Sequence, residues 1–280
     1  MPTETVFPDK PALRKSRLAD PDRLRWTPAY DGRLLALIRN ATFVSRGQLL
    51  ALAQRNRVVS GESTFRWRMQ RFIDVGLVQK LPRIHPHPGP VYTITRAGLH
   101  VLESFGQGVA SITSASEHLA DAIQAPHFLE LNEVQLALYG ATDCALDAWY
   151  SDREIASMNY TQPIPFVKDY DAIVRLIVAD NHVLKIGVEY ERNFKSEERY
   201  HEIASQIKNE RQLHLVLYLT ATGDMVFRLA PALVCDPFPI CFASTGAFRQ
   251  QLFSTNVAYL NGGKTIISSF QDFLKARKLS

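Results

Sequence analysis

Tyr170-Asp-Ala-Ile-Val-Arg-Leu-Ile-Val178, then Ala179-Asp-Asn-His182, then Val183-Leu-Lys-Ile-Gly-Val-Glu-Tyr-Glu-Arg-Asn-Phe-Lys195 is the stretch whose reading decides the fold. Two apolar, β-branched runs flank a polar turn, which predicts a pair of adjacent strands. Asp171 opens the first strand, and Glu189 and Glu191 close the second. Residues two apart on a strand share a face, so Glu189 and Glu191 project together. Three carboxylates converging there repel one another unless a cation neutralises them. The hairpin therefore reads as a candidate divalent-metal site.

Outward from that hairpin, the chain continues on both sides with helix and strand signals. His127 to about Tyr139 is predicted to be an amphipathic helix carrying Glu130 and Glu133, which are neighbours on a helix surface. Ala145–Ser151 either extends that helix or begins an edge strand. Ser196–Glu210 is predicted as a charged helix with Tyr200, Ile203, Ala204 and Ile207 inward, and with Tyr200 and Gln206 facing the acidic site. Leu213–Thr220 is an apolar strand of the buried kind. Strand, strand, helix, strand implies a crossover and an α/β core (α+β for the whole chain). Val226–Leu229, Pro239–Ala243 and Asn256–Leu260 are expected to add strands or edge elements, with a helix near 246–253. Asn261-Gly262 reads as a turn. Gly263-Lys264-Thr265 resembles the end of a phosphate loop, but Ala258 stands where that motif needs glycine, so no nucleotide site is expected.

The N-terminal side has a different character. Residues 1–100 hold 17 Lys and Arg against 7 Asp and Glu, whereas residues 101–280 hold 15 against 21. A basic half suits a polyanion, because each phosphate it neutralises releases counterions. Residues 1–28 read as a flexible basic arm. Helices are predicted from about Tyr30, after an N-cap at Ser45, and from Glu62 to Val75. The third buries Phe65, Met69, Phe72 and Ile73 at i, i+4, i+7 and i+8. Ser63, Thr64, Arg66, Arg68 and Arg71 are expected on its other faces. Strands at 77–81 and 91–94 enclose a turn, 85–90, and Thr95 caps a further helix. A helix that buries one stripe and presents arginines and hydroxyls is built like a major-groove reader. Double-stranded DNA is the expected partner, with Ser63, Thr64, Arg66, Arg68, Arg71, Lys80 and Arg83 as candidate contacts. His85 and His87, two apart in a Pro-Gly turn without further ligands, are discounted as a metal site. The units divide as 29–105, a linker at 106–125 rich in Ser, Ala, Gly and Gln, and 126–280.

Composition narrows the classes. A chain of 280 residues, 46% hydrophobic, has length for one large domain or two ordinary ones. No stretch of 18 apolar residues predicts a membrane span. The N-terminus lacks an apolar leader core, and Cys144, Cys235 and Cys241 are scattered without metal spacing, so a reducing cytoplasm is expected.

Asp74-Val-Gly-Leu-Val78 leading to Tyr92-Thr-Ile-Thr-Arg-Ala-Gly98 resembles the MarR/PadR-like winged helix-turn-helix pattern. The order helix with Glu, strand with Asp, strand with Glu-x-Glu, crossover helix, strand resembles the PD-(D/E)XK nuclease superfamily. That resemblance implies a restriction-endonuclease-like mixed sheet binding Mg²⁺ through Asp171 and Glu189, with Glu133 as the helix-borne ligand. Glu191 stands where a Lys is usual, and Lys195 or Lys185 is the candidate replacement, so the catalytic set is Asp171, Glu189, Glu191 and Lys195. The whole arrangement, with His127-x-x-x-x-Asn-Glu133, Tyr170-Asp-Ala and Val188-Glu-x-Glu-Arg192, resembles the replication-relaxation family over about residues 30–220. Membership implies action on plasmid or integrative-element DNA in bacteria, in replication, mobilisation or its control. The alternative is a non-catalytic transcriptional regulator whose degenerate nuclease-like domain serves homodimerisation or ligand binding.

Overall fold

The computed structural model describes residues 26–81, 89–108, 122–178 and 181–279. The basic arm up to residue 25, the turn with Arg83, His85 and His87, and most of the linker (109–121) lie outside the described residues. The described chain is a mixed α+β structure with a three-stranded and a seven-stranded sheet.

The first unit begins with a short π-helical turn, Pro28–Gly32, followed by α1 (Arg33–Ala41), β1 (Val44–Ser45), α2 (Arg46–Arg55), α3 (Glu62–Asp74), β2 (Val78–Leu81), β3 (Val91–Ile94) and α4 (Arg96–Ser104). Local signals set these boundaries. Ser45 caps α2 in a capping box with Gln48, Thr95 Oγ1 accepts from the Gly98 N–H, and Gly76, at φ +76°, turns the chain after α3. Strand β3 is central, antiparallel to β1 and to β2. The helices bury Leu34, Leu35, Ile38, Leu49, Leu52, Phe65, Met69 and Phe72 together against Tyr92 and Ile94. Each such side chain stabilises the unit by about 1.5–3 kcal/mol relative to exposure.

The second unit carries α5 (Ala125–Tyr139), β4 (Ala145–Ser151), α6 (Asp152–Thr161), β5 (Ala172–Ile177), β6 (Val183–Glu191), α7 (Glu197–Ile207), β7 (Leu215–Thr220), α8 (Gly223–Ala232), β8 (Ile240–Ser244), α9 (Thr245–Gln251), β9 (Asn256–Asn261), β10 (Lys264–Ser269) and α10 (Phe270–Ala276). The sheet order is β10-β9-β8-β7-β6-β5-β4. Strands β6, β7 and β8 run parallel, and the other pairs are antiparallel. The predicted strand pair is therefore β5 and β6, and α7 is the predicted crossover to β7. Of the two readings of 145–151, the edge strand is the one observed.

Alternation along the strands separates two cores. Leu184, Ile186, Val188 and Tyr190 of β6 join Leu215, Leu217 and Leu219 of β7 against Leu131, Val134 and Leu138 of α5. The opposite face packs Ile173, Val216 and Tyr218 against Tyr200, Ile203 and Ile207 of α7. Glu189 and Glu191 share the parity of that second face.

Three expectations need correction. Val226–Leu229 is not a strand but lies in α8, because Met225, Val226, Leu229 and Ala230 recur at helical spacing and are buried. Helix α5 is not one-sided. Its Leu131, Val134 and Leu138 face the sheet, while Ala125 and Leu129 pack with Phe43, Leu81 and Val91 of the first unit. Gln48 Nε2 donates to the Leu129 carbonyl at 2.8 Å and Asn132 Nδ2 to the Phe43 carbonyl at 2.8 Å, so α5 belongs to both units. Gln206 is exposed, not turned inward with Tyr200. At the C-terminal end, Gly262 and Gly263 take φ of +58° and +75° in the two-residue β9–β10 turn, a conformation that favours glycine.

Candidate functional site

The ladder between β5 and β6 ends with Ala172 opposite Val188, so the next step sets Asp171 beside Glu189. The Tyr190 N–H donates to Asp171 Oδ2 at 2.7 Å, which ties the first carboxylate to the second strand. His127, at the start of α5, brings Nε2 within 3.3 Å of Asp171 Oδ1. Glu189 is buried, and Lys168 Nζ lies 2.6 Å from its Oε1, off the axis of a hydrogen bond. Glu191 is also buried. Its Oε2 accepts from Lys195 Nζ at 2.6 Å and from the Tyr218 hydroxyl at 3.3 Å. Asp171 and Glu189 thus stand side by side, Glu191 follows two residues on along the same face of β6, and the neighbours of these acids include two lysines and a histidine.

Lysine enters from two loops. The Lys195 backbone N–H donates to the Tyr200 hydroxyl at 2.9 Å, which holds the segment after β6 against α7. The loop before β5 is pinned by Glu210. This buried carboxylate accepts from the Val167 N–H at 3.3 Å and the Tyr170 hydroxyl at 3.1 Å, on either side of Lys168. Its other oxygen takes the N–H groups of Arg211 and Gln212. Tyr170 stays close to β6 because Gly187 has no side chain: a Cβ there would meet Tyr170 at 3.1 Å and Leu213 at 2.7 Å.

Electrostatics divide the acids. Burial would raise Asp171, but the His127 hydrogen bond and charge, the Tyr190 N–H and Lys168 hold it below the usual carboxylate range. Burial pushes Glu189 up to about 7 despite Lys168, and Asp171 adds to the shift. Asp152, the first residue of α6, is pushed up to about 6, mainly by burial, with Asp171 contributing. Burial opposes the charge on His127, yet Asp171 wins and raises it. Neighbouring groups shifted in opposite directions are a recurrent property of functional sites.

Glu133 is not part of this gathering. It accepts from Gln48 Nε2 at 2.7 Å and Arg249 Nη2 at 3.1 Å. Among the described residues, no three His, Cys, Asp or Glu side chains are grouped to hold a metal ion. One turn earlier on α5, Glu130 accepts from the Tyr190 hydroxyl. Sequence reasoning missed Lys168 and Asp152 and gave His127 no role. Only the fold brings these residues, on two helix starts and a loop, to Asp171, and no spacing signals them.

The predicted DNA-contact residues also divide. Arg68 and Arg71 turn inward and ion-pair with the two oxygens of fully buried Asp31, Arg71 Nη2 at 2.7 Å. The Thr27 N–H completes that cluster at 2.8 Å. Ser63, Thr64, Arg66 and Lys80 remain exposed, and Arg83 lies outside the described residues. Trp67, absent from the predicted set, is 58% exposed.

No family model, curated protein or solved structure was found to match this chain. No helix among the described residues is long and apolar enough to cross a membrane.

Proposed function

We propose that the chain is a DNA-binding protein of a bacterial mobile element, in which a winged helix recruits a PD-(D/E)XK-like, Mg²⁺-dependent deoxyribonuclease domain. The observation that carries the reading is Asp171 beside Glu189 at adjoining strand ends, with lysine head groups on Glu189 and Glu191. The order α5, β4, α6, β5, β6, α7, β7, with α7 crossing between parallel strands, contains the helix, strand, strand, crossover helix, strand succession of that superfamily resemblance. Lysine at the motif position is missing, but Lys168 and Lys195 deliver ammonium groups from adjacent loops. Three helices followed by an antiparallel pair support the winged-helix reading of the first unit.

The donor chemistry fits Mg²⁺, which takes one or two carboxylates and leaves its other positions to water and phosphate. Asp171 and Glu189 would hold it, and buried Glu189 Oε1 lacks an aligned hydrogen bond. When bound, the ion supplies an activated water and neutralises developing phosphate charge. Lys168 and Lys195 hold the scissile phosphate. His127 fixes the orientation of Asp171 and keeps it ionised, and α5 joins this end of the sheet to the DNA-binding unit.

The test is incubation of purified protein with supercoiled and branched DNA in Mg²⁺ or Mn²⁺. Nicking or cutting that Asp171→Ala reduces by about a hundredfold, with DNA binding retained, supports the proposal. Absence of cleavage on both substrates with both metals overturns it. One observation favours a non-catalytic regulator: Glu189 and Glu191 each already have a lysine partner. Under that reading Glu189→Ala leaves DNA binding and transcriptional control unchanged.

A further inference from the structure

The inward turn of Arg68 and Arg71 leaves α3 with an outer face unlike the arginine-rich one its sequence suggests. Phe65, Met69 and Phe72 mark the buried stripe. Ser63, Trp67, Gln70 and Asp74 recur at i, i+4, i+7 and i+11 and are exposed, so they form the stripe opposite. Trp67 lies near the middle of it.

Both central side chains are oriented before any ligand arrives. The Arg71 guanidinium lies 4.5 Å from the Trp67 ring centroid, and its Nη2 is held by buried Asp31 at 2.7 Å. The indole therefore rests on a fixed cation. Gln70 Nε2 donates to Asp74 Oδ1 at 2.8 Å. Only the amide nitrogen can donate to a carboxylate, so this contact fixes which way the amide points. One N–H and the carbonyl oxygen of Gln70 remain for a ligand.

A donor beside an acceptor is the complement of the adenine major-groove edge, N7 and N6–H, whereas guanine offers two acceptors and is matched by arginine. An apolar surface three residues away complements the thymine 5-methyl group, which no other DNA base carries. Resting on the reading of α3 as the groove helix, we propose that α3 reads A·T base pairs, with Gln70 on adenine and Trp67 on the thymine methyl. Arg66 and Lys80 are exposed cations available to the phosphates, and half-buried Arg46 at the start of α2 is paired with Glu62.

Three hairpin duplexes test this at one fixed, moderate salt: alternating A·T, the same with uracil for thymine, and alternating G·C. Affinity is followed by anisotropy of a labelled duplex. The A·T duplex is expected to bind about tenfold tighter than G·C, with uracil substitution losing about threefold. Trp67→Ala should abolish the thymine–uracil difference. Gln70→Ala should cut the preference for A·T over G·C to the roughly threefold that the thymine methyl supplies, while general DNA affinity remains. Both side chains are exposed, and circular dichroism verifies that each variant is folded. Equal binding to all three duplexes, or a G·C preference, overturns the inference and leaves DNA binding standing. Failure of the native protein to bind any duplex overturns the groove-helix reading and the inference with it.

Discussion

Asp31 and Glu189 are both carboxylates removed from water, at 0% and 5% exposure, in different units of the chain. Asp31 meets two guanidinium groups and a backbone N–H, one or more for each oxygen. Glu189 meets one ammonium at 2.6 Å, beside another acid, and is pushed up to about 7. The first cluster gives each Asp31 oxygen a cationic partner and ties the turn before α1 to α3. The second is short of positive charge, so it takes up a proton or a cation. The difference teaches that buried charge is scaffolding where its partners saturate it and a candidate site where they do not.

Breaking the saturated cluster should have the largest effect. Asp31→Ala leaves Arg68 and Arg71 without their counter-ion, and about 3–5 kcal/mol of stability should be lost in urea unfolding. A loss below about 1 kcal/mol would remove the contrast with Glu189.

The second prediction concerns pH. A carboxyl whose pKa is higher folded than unfolded takes up a proton on folding. Its contribution is complete below the ordinary carboxyl pKa and is lost as pH rises through the folded value. Glu189, at about 7, and Asp152, at about 6, both act this way, and the raised His127 has the same sign. Asp171, held low, acts oppositely, but only at pH below the ordinary carboxyl range. Thermal stability should therefore fall from about pH 5 to about pH 8, and Glu189→Gln should flatten that fall. At the alkaline end the variant should exceed the native protein by on the order of 1 kcal/mol. Identical profiles for the two proteins would show that Glu189 is saturated like Asp31.

Smaller effects sharpen the same contrast. The Lys195 side chain is 40% exposed but its partner Glu191 is buried, so Lys195→Ala should cost on the order of 1 kcal/mol in unfolding, while the proposed metal-dependent cleavage falls about a hundredfold. The smallest stability change belongs to exposed Arg66: Arg66→Ala should unfold within about 0.5 kcal/mol of the native protein yet bind DNA more weakly. Arg68→Ala should do the reverse, losing stability first, because its guanidinium belongs to the Asp31 cluster.

The elements most legible in the sequence were those with a local signal. The apolar runs at 172–177 and 183–191, the Ser45 and Thr95 caps and the Phe65, Met69, Phe72 stripe all carry a period or a capping residue. Asp171, Glu189 and Glu191 were legible because the glutamates sit on β6 and Asp171 immediately precedes β5. The two glutamates share a face by alternation, and the β5–β6 register brings Asp171 alongside Glu189. The α8 helix was misread as a strand because four apolar residues in a short window fit either period. The destinations of Arg68, Arg71 and Glu133 depend on partners 37, 40 and 116 residues away, Asp31 for both arginines and Arg249 for Glu133.

What the sequence determined by itself is the alternation of basic and acidic halves, the paired strands and the acids at their ends, since each depends on neighbouring residues alone. Tertiary structure decided which charges are spent on scaffolding and which stay available. It turned two arginines onto Asp31, carried Lys168 and His127 to the acids, and left Trp67 and Gln70 facing outward. The physical reason is that neutralising a buried charge takes an opposite charge within a few ångströms, and in this chain folding brings those partners from distant segments.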